Sequence, residues 1–461
     1  MTLSNTATPP VAPARKPGLL INRGFALLWS GETVSVLGDF IFDTTLVLWI
    51  ATRIARGQPW APLAVSGVLL AASVPIFVVG PLAGVFADRW DRRRTMLWMD
   101  AARAVLIALL VLATGIVPVP FAPGGRLPIS WQLGAIYGTV ALASICAQFF
   151  NPSRMSLLGL LVEQPLMARA AGLTQATASL AAIAGPPLAA ALFFAGGIEW
   201  ALLANAGSFV LSFLAILAIR MPHAAPAPAT PETAETARPG GFWREFGQGL
   251  GFFATNRAMI AVLVTGVLVL LGAGALNTLD VFFLQANLHA SADLYGILTG
   301  AQGVGLVVGA VLAAAFAERI GVARAFAWSL VAAGVLAMVY ARLTSIAPAL
   351  VVMALFGVLI AAVNVTINTL LFVLTPQALI GRVTAVFNPI TSVASMLSIA
   401  LAGYLDSVTL RGFHAVVWAV ALGPIDTIFL GVGVLIVLGG LNAALHLRGV
   451  RASAPSSPSD T

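Results

Sequence analysis

Twelve long apolar runs constrain this chain more than any other feature. They cover residues 25–51, 62–87, 95–117, 131–157, 168–196, 199–220, 258–286, 294–317, 322–343, 347–374, 383–405 and 426–446. About 20 apolar residues carry a helix across the hydrocarbon core of a bilayer, and every run is long enough. The runs are continuous rather than alternating, which predicts helices and not the strands of a barrel. The chain is 59% hydrophobic and 9% charged, too little polar surface for a soluble protein of 461 residues. The expected fold class is therefore an all-α integral membrane protein with twelve transmembrane helices, lying in the lipid bilayer of the cell inner (plasma) membrane.

The charges set its expected orientation. Of the 24 Lys and Arg residues, 18 fall at one face, five at the other (Arg53, Arg56, Arg126, Arg342 and Arg411), and Arg103 lies within a helix. The positive-inside rule places the richer face, and with it both termini, in the cytoplasm. The net charge of +7 then reads as a topology signal, with no nucleic-acid partner. Trp60, Trp131 and Trp200 stand at helix starts, where interfacial anchors belong. Residues 1–20 do not read as a cleavable signal, since Arg15 and Lys16 lead directly into the first span. Cys146 is the sole cysteine, so no disulfide forms within the chain.

The chain repeats itself. Asn22-Arg23 precedes the first span and Asn256-Arg257 the seventh. At a shift of 230 residues, Phe86–Arg89 (FADR) falls on Phe316–Arg319 (FAER), and Arg94 on Arg324. At a shift of 213, Ala168–Ala170 falls near Gly381–Val383. The expected organisation is a disordered tail over 1–20, an N-terminal six-helix half over 21–220, and a cytoplasmic linker over 221–257 carrying an amphipathic helix. A C-terminal six-helix half over 258–447 and a disordered tail over 448–461 complete it.

One connector concentrates charge. In GVFADRWDRRR, Gly84 to Arg94, six residues are ionisable. The pattern Gly84-x-x-x-Asp88-Arg89-x-x-Arg92-Arg93 resembles the signature loop of the major facilitator superfamily, with Asp91 where that loop usually has glycine. Ala182–Ala191, centred on Gly185-Pro186-Pro187, resembles the Gly-Pro motif of its exporter branch. Phe25–Asp39 and Asp100–Ala104 resemble the macrolide-efflux and enterobactin-export proteins. The resemblance implies two pseudo-symmetric six-helix halves that rock about a central cavity. It assigns Gly84, Asp88 and Arg89 to a conformational latch. Arg92, Arg93 and Arg94 belong to the same run, which for Arg93 and Arg94 reads first as topology. Gly185 and Pro186 serve either coupling or a simple packing kink.

Charges inside the membrane are functional candidates by default. Glu32, Asp39 and Asp43 lie at offsets of 0, 7 and 11 in the first helix. At about 100° per residue they fall within about 40° of one another, on a single face. Asp39, nearest mid-membrane, is the leading proton carrier. Glu32 reads as cavity lining, and Asp43 is open between the two roles. Asp100 and Arg103, one turn apart, read as a structural pair that supports the signature loop and so belongs with the gating residues. Asp280 reads as an outer-end charge at the cavity mouth, and Asn277 falls opposite Asp43 in the repeat. Asn205, Asn364, Asn368 and Asn388 read as bonds between helices.

These readings predict a secondary transporter, expected as a monomer, with a small-molecule substrate and protons as partners. It would export an amphipathic compound by proton antiport, and it would need neither cofactor nor metal. The only lysine, Lys16, excludes a phosphate-loop pump. The substrate stays open among a drug, a siderophore, a lysolipid or another metabolite. A membrane enzyme or a scaffold on the same fold is the alternative class.

Overall fold

The computed structural model describes residues 21–87, 90–114, 127–220, 247, 250–376, 379–413, 415–417 and 420–447. Twelve of its helices are long and apolar enough to cross a membrane. The N-terminal half holds α1 (Arg23–Trp49), α2 (Ala61–Ala87), α3 (Arg92–Leu110), α4 (Ile129–Leu161), α5 (Gln164–Ala191) and α6 (Ile198–Ala218). The C-terminal half holds α7 (Arg257–Ala286), α8 (Tyr295–Ile320), α9 (Val322–Tyr340), α10 (Ile346–Leu374), α11 (Ile380–Tyr404) and α12 (Pro424–His446). A small antiparallel hairpin, β1 (Ala415–Val417) with β2 (Val420–Leu422), joins the last two helices. The run pattern held no hint of it, because three-residue strands leave no readable alternation. Residues 247 and 250–255 are helical, and Asn256 and Arg257 already belong to the start of α7; residues 221–246, 248 and 249 of the expected linker lie outside the described residues, as do both tails.

The sequence repeats are helix starts. The Asn22 side chain accepts from the Phe25 backbone N–H at 2.8 Å, and the Asn256 side chain accepts from the N–H groups of Ala258 and Met259. Each asparagine caps the exposed donors of its helix. The departure at Asp91 has the same explanation. Asp91 caps α3 by accepting from the Arg94 N–H at 2.7 Å. At the matching start of α9, Gly321 takes φ +88 instead, a conformation that favours glycine.

Membrane helices gain little from burying apolar surface, so close backbone approach and polar bonds carry the packing. Gly334 of α9 meets Gly433 of α12, and a methyl group added to either would collide with the other's carbonyl. The outward sides carry exposed Trp98, Val311, Ile297 and Trp328, as lipid contact requires. Trp131 and Trp200 are exposed at the starts of α4 and α6.

The halves meet along α5 with α8 and α2 with α11. The bonds between them lie toward the face away from the start of α1, here the far face. Ser66 of α2 donates to the Ile399 carbonyl of α11 at 2.9 Å. The Leu63 N–H donates to Ser407 at 3.2 Å. Gly296 of α8 lies against the Pro186 carbonyl and Pro187 of α5, where a side chain would not fit.

Candidate functional site

The N-terminal half builds a buried ionic cluster around α1. Small residues draw α1 onto its neighbours: Gly38 sits against Asn205 and Ser208 of α6, and Gly185 of α5 accepts the Phe40 side chain. This turns the Glu32, Asp39 and Asp43 face toward α3 and α4. On α3, Asp100 is wholly buried and Arg103 is 5% exposed. The Arg103 guanidinium donates to Asp100 at 2.5 Å. It also lies over two aromatic rings, Phe209 of α6 at 4.2 Å and Phe150 of α4 at 4.6 Å. A cation stacked on ring faces and paired with a carboxylate is held in place on every side.

Asp39 stands in electrostatic reach of both Arg103 and Asp100, and Asp43 in reach of Asp39. Asp39 is half-buried and Asp43 is exposed. Asp39 and Asp100 thus share one guanidinium, and Asp43 stands in reach of Asp39. With all of them ionised, the cluster would carry two uncompensated negative charges inside the membrane. Such a state is costly, so the cluster favours a bound proton or a cationic ligand.

Glu32 sits lower on the stripe and forms an ion pair with Arg154 of α4. Its charge is answered by a cation of its own, whereas Asp39 has to share Arg103 with Asp100. The expected i, i+3 pairing of Asp100 with Arg103 is present.

The C-terminal half differs from expectation at Asp280. The residue is 5% exposed and accepts a 2.5 Å hydrogen bond from the Tyr340 hydroxyl. It is a buried core acceptor, not a charge at the cavity mouth. Phe283, Tyr340 and Phe429 stack beside it. Composition could not have exposed this partner, which lies 60 residues away in the chain. Asn277 is exposed and, with Asn364, lines a cavity in this half. Asn364 was expected to bond across helices. Its side chain instead faces that cavity, while its backbone carbonyl accepts from Asn368 within α10 at 2.8 Å. Asn205 bonds to Ser208 of its own helix.

The latch residues divide. Gly84 lies in the last turn of α2, while Asp88 and Arg89 lie outside the described residues. Arg92 opens α3. Arg93 donates to the Ile216 and Leu217 carbonyls at 3.2 and 2.5 Å, clasping the end of α6 in its own half. Its bonds are therefore within a half, where gating would need them across the halves. Gly185 and Pro186 do reach across: the Pro186 carbonyl abuts Gly296 of the other half. Among the described residues no group of His, Cys, Asp and Glu could hold a metal ion.

Twelve membrane-crossing helices in two similar halves, with a few charged residues buried among them, define a polytopic transporter of the major facilitator type. Residues 28–397 match the Major Facilitator Superfamily, and the chain belongs to that family. It is 23% identical over 297 residues to the "Uncharacterized MFS-type transporter YfiS" of Bacillus subtilis, covering 64% of this chain and 65% of that protein. It is 23% identical to "Macrolide efflux protein A" of Streptococcus pyogenes, over 53% of this chain and 54% of the relative. The "Putative bacilysin exporter BacE" of Bacillus amyloliquefaciens shares 26% over 51% and 52%. These matches span less than two thirds of each relative. Among solved structures, a bacterial homologue of the iron transporter ferroportin in its inward-facing state superposes with a TM-score of 0.69 at 15% identity, covering 92% of this chain and 98% of that one. A bacterial homologue of the lysosomal transporter Spinster gives 0.66 at 13% identity, covering 94% and 100%. At these identities the likeness is one of fold.

Proposed function

We propose that the protein is a secondary active exporter that moves an amphipathic small molecule out of the cell in exchange for protons. The observation that carries this reading is the α1 cluster, where Asp39, Asp43 and Asp100 stand together with Arg103 as the one cation named among them. Protonation and binding of a cationic group are two ways of relieving the same excess charge. They exclude one another, and that exclusion is what an antiporter needs. The efflux and export named in the matched relatives point the same way.

The basic asymmetry supports a cytoplasmic position for the face where α1 begins, and for both termini. The bonds between halves then lie at the outer ends, in a state closed to the outside. Alternating access would break the Ser66–Ile399 and Gly296–Pro186 contacts as the halves rock. Gly84, Asp88 and Arg89 would latch the cytoplasmic side in the opposite state.

The test uses purified protein in proteoliposomes under an imposed pH gradient, first with a panel of amphipathic compounds. A substrate of the expected kind accumulates against its own gradient when the proton gradient is present. Its apparent affinity weakens as pH falls, because protons compete for Asp39. Accumulation indifferent to the proton gradient would remove the antiport reading.

A further inference from the structure

The two halves treat the same location in opposite ways. At the 234-residue shift set by Asn22 and Asn256, the α1 positions 39 and 43 fall on Ala273 and Asn277 of α7. At the 230-residue shift, Asp100 falls on Leu330 and Arg103 on Ala333 of α9. At the 213-residue shift, Phe150 falls on Val363 of α10. All five C-terminal residues line one cavity of about 290 Å³. Where the N-terminal half packs a guanidinium between rings, the C-terminal half has shorter side chains and leaves a space.

We propose that this cavity is a binding subsite for an uncharged apolar portion of the transported molecule. Protein interiors rarely hold voids much larger than a water molecule, so an opening of this size has a use. No charged residue lines it. Its polar side chains are the amides of Asn277, Gln302 and Asn364 and the hydroxyls of Thr265 and Thr391, and both hydroxyls already donate to backbone carbonyls. The Gln302 and Asn364 side chains have no hydrogen-bond partner among the described residues, so their donors and acceptors are free for ether, hydroxyl or carbonyl oxygens. Ligand pockets run from about 300 to 1,000 Å³. A space at the bottom of that range holds one moiety of a drug-sized molecule, leaving the remainder outside it. The inference rests on the transport reading above for the identity of its occupant, but not for the existence of the site.

Equilibrium binding tests it without any gradient. The whole protein in lipid nanodiscs is titrated with N-phenyl-1-naphthylamine, a neutral fluorescent probe, and with 1-anilinonaphthalene-8-sulfonate, an anionic relative of similar shape. The neutral probe should bind saturably, near one per protein, and at least tenfold more tightly than the anion. Ala333→Phe and Val363→Phe, which fill the cavity, should each weaken it at least tenfold while keeping the thermal transition of the parent. Val335→Phe, adding the same bulk to the exposed side of α9, should leave binding within twofold. Asn364→Ala should weaken binding of 1-naphthol, which carries a hydroxyl, more than that of naphthalene. Binding no greater than to empty nanodiscs, equal affinity for the two dyes, or unchanged affinity in the filled variants would overturn the proposal. Should Asp39→Asn retain proton-driven transport while the filled variants lose the probe, the antiport reading falls and the subsite stands.

Discussion

At matching interior positions the N-terminal half carries ions and the C-terminal half carries neutral side chains. At matching positions, Asp100 and Arg103 stand against Leu330 and Ala333, and Asp39 against Ala273. The helix framework is shared, down to paired asparagine caps at Asn22 and Asn256. The chemistry is not. A repeated fold thus supplies two copies of one interior, and the sequence has specialised one for charge and the other for apolar volume. Two carboxylates are buried in the C-terminal half among the described residues: Asp280 accepts from Tyr340, and Asp426 faces Arg342 at 3.6 Å.

The contrast can be broken from either side, and the largest effect belongs to the ion pair. Arg103→Ala leaves Asp100 buried without its cation and empties the space between Phe150 and Phe209. Removing one member of a buried pair costs about 3–5 kcal/mol, which thermal unfolding in detergent will register as a large loss. The double variant Asp100→Leu with Arg103→Met removes both charges while keeping the volume, and should recover most of that stability. Failure of the double variant to recover would mean that the pair is needed for the fold itself. Tyr340→Phe is the matching test in the other half. It strips the donor from Asp280 and should cost about 1–3 kcal/mol.

A smaller effect is expected at the seam. Gly296→Val intrudes on the Pro186 carbonyl and should disfavour the state with the far face closed at least tenfold, about 1.4 kcal/mol, without unfolding either half. Spin-label distances between α5 and α8 would lengthen. Unchanged distances would make Gly185-Pro186 a kink within its own half. The smallest effect is at Ala333→Leu, which adds bulk where there is room and should shift stability by less than about 1.5 kcal/mol.

Much of this was legible in the chain. Long apolar runs report spans directly, because lipid leaves the backbone no alternative to helix. The run ends were less legible. The fourth run spans 131–157, whereas α4 runs from Ile129 to Leu161. Helical spacing placed Glu32, Asp39 and Asp43 on one face without reference to any partner. Asp280 could not be placed in that way. Its environment depends on Tyr340 in another helix, and periodicity along one helix carries no information about a neighbour. The C-terminal cavity was hidden for the same reason. An empty space is the joint product of Leu330, Ala333 and Val363 on separate helices, and none of them stands out alone.

The central claim is that Asp39 gives up its proton during transport. The direct measurement pairs two assays on Asp39→Asn proteoliposomes with a substrate from the panel: uphill accumulation driven by a pH gradient, and downhill exchange without one. The asparagine mimics the protonated state permanently. The account predicts that uphill accumulation is abolished, that exchange persists, and that the pH dependence of substrate affinity disappears. Asp43→Asn should retain part of the uphill activity, because its exposed carboxyl is better hydrated. Full proton-driven accumulation by Asp39→Asn, with affinity still falling at low pH, would contradict the account and move the coupling to another group.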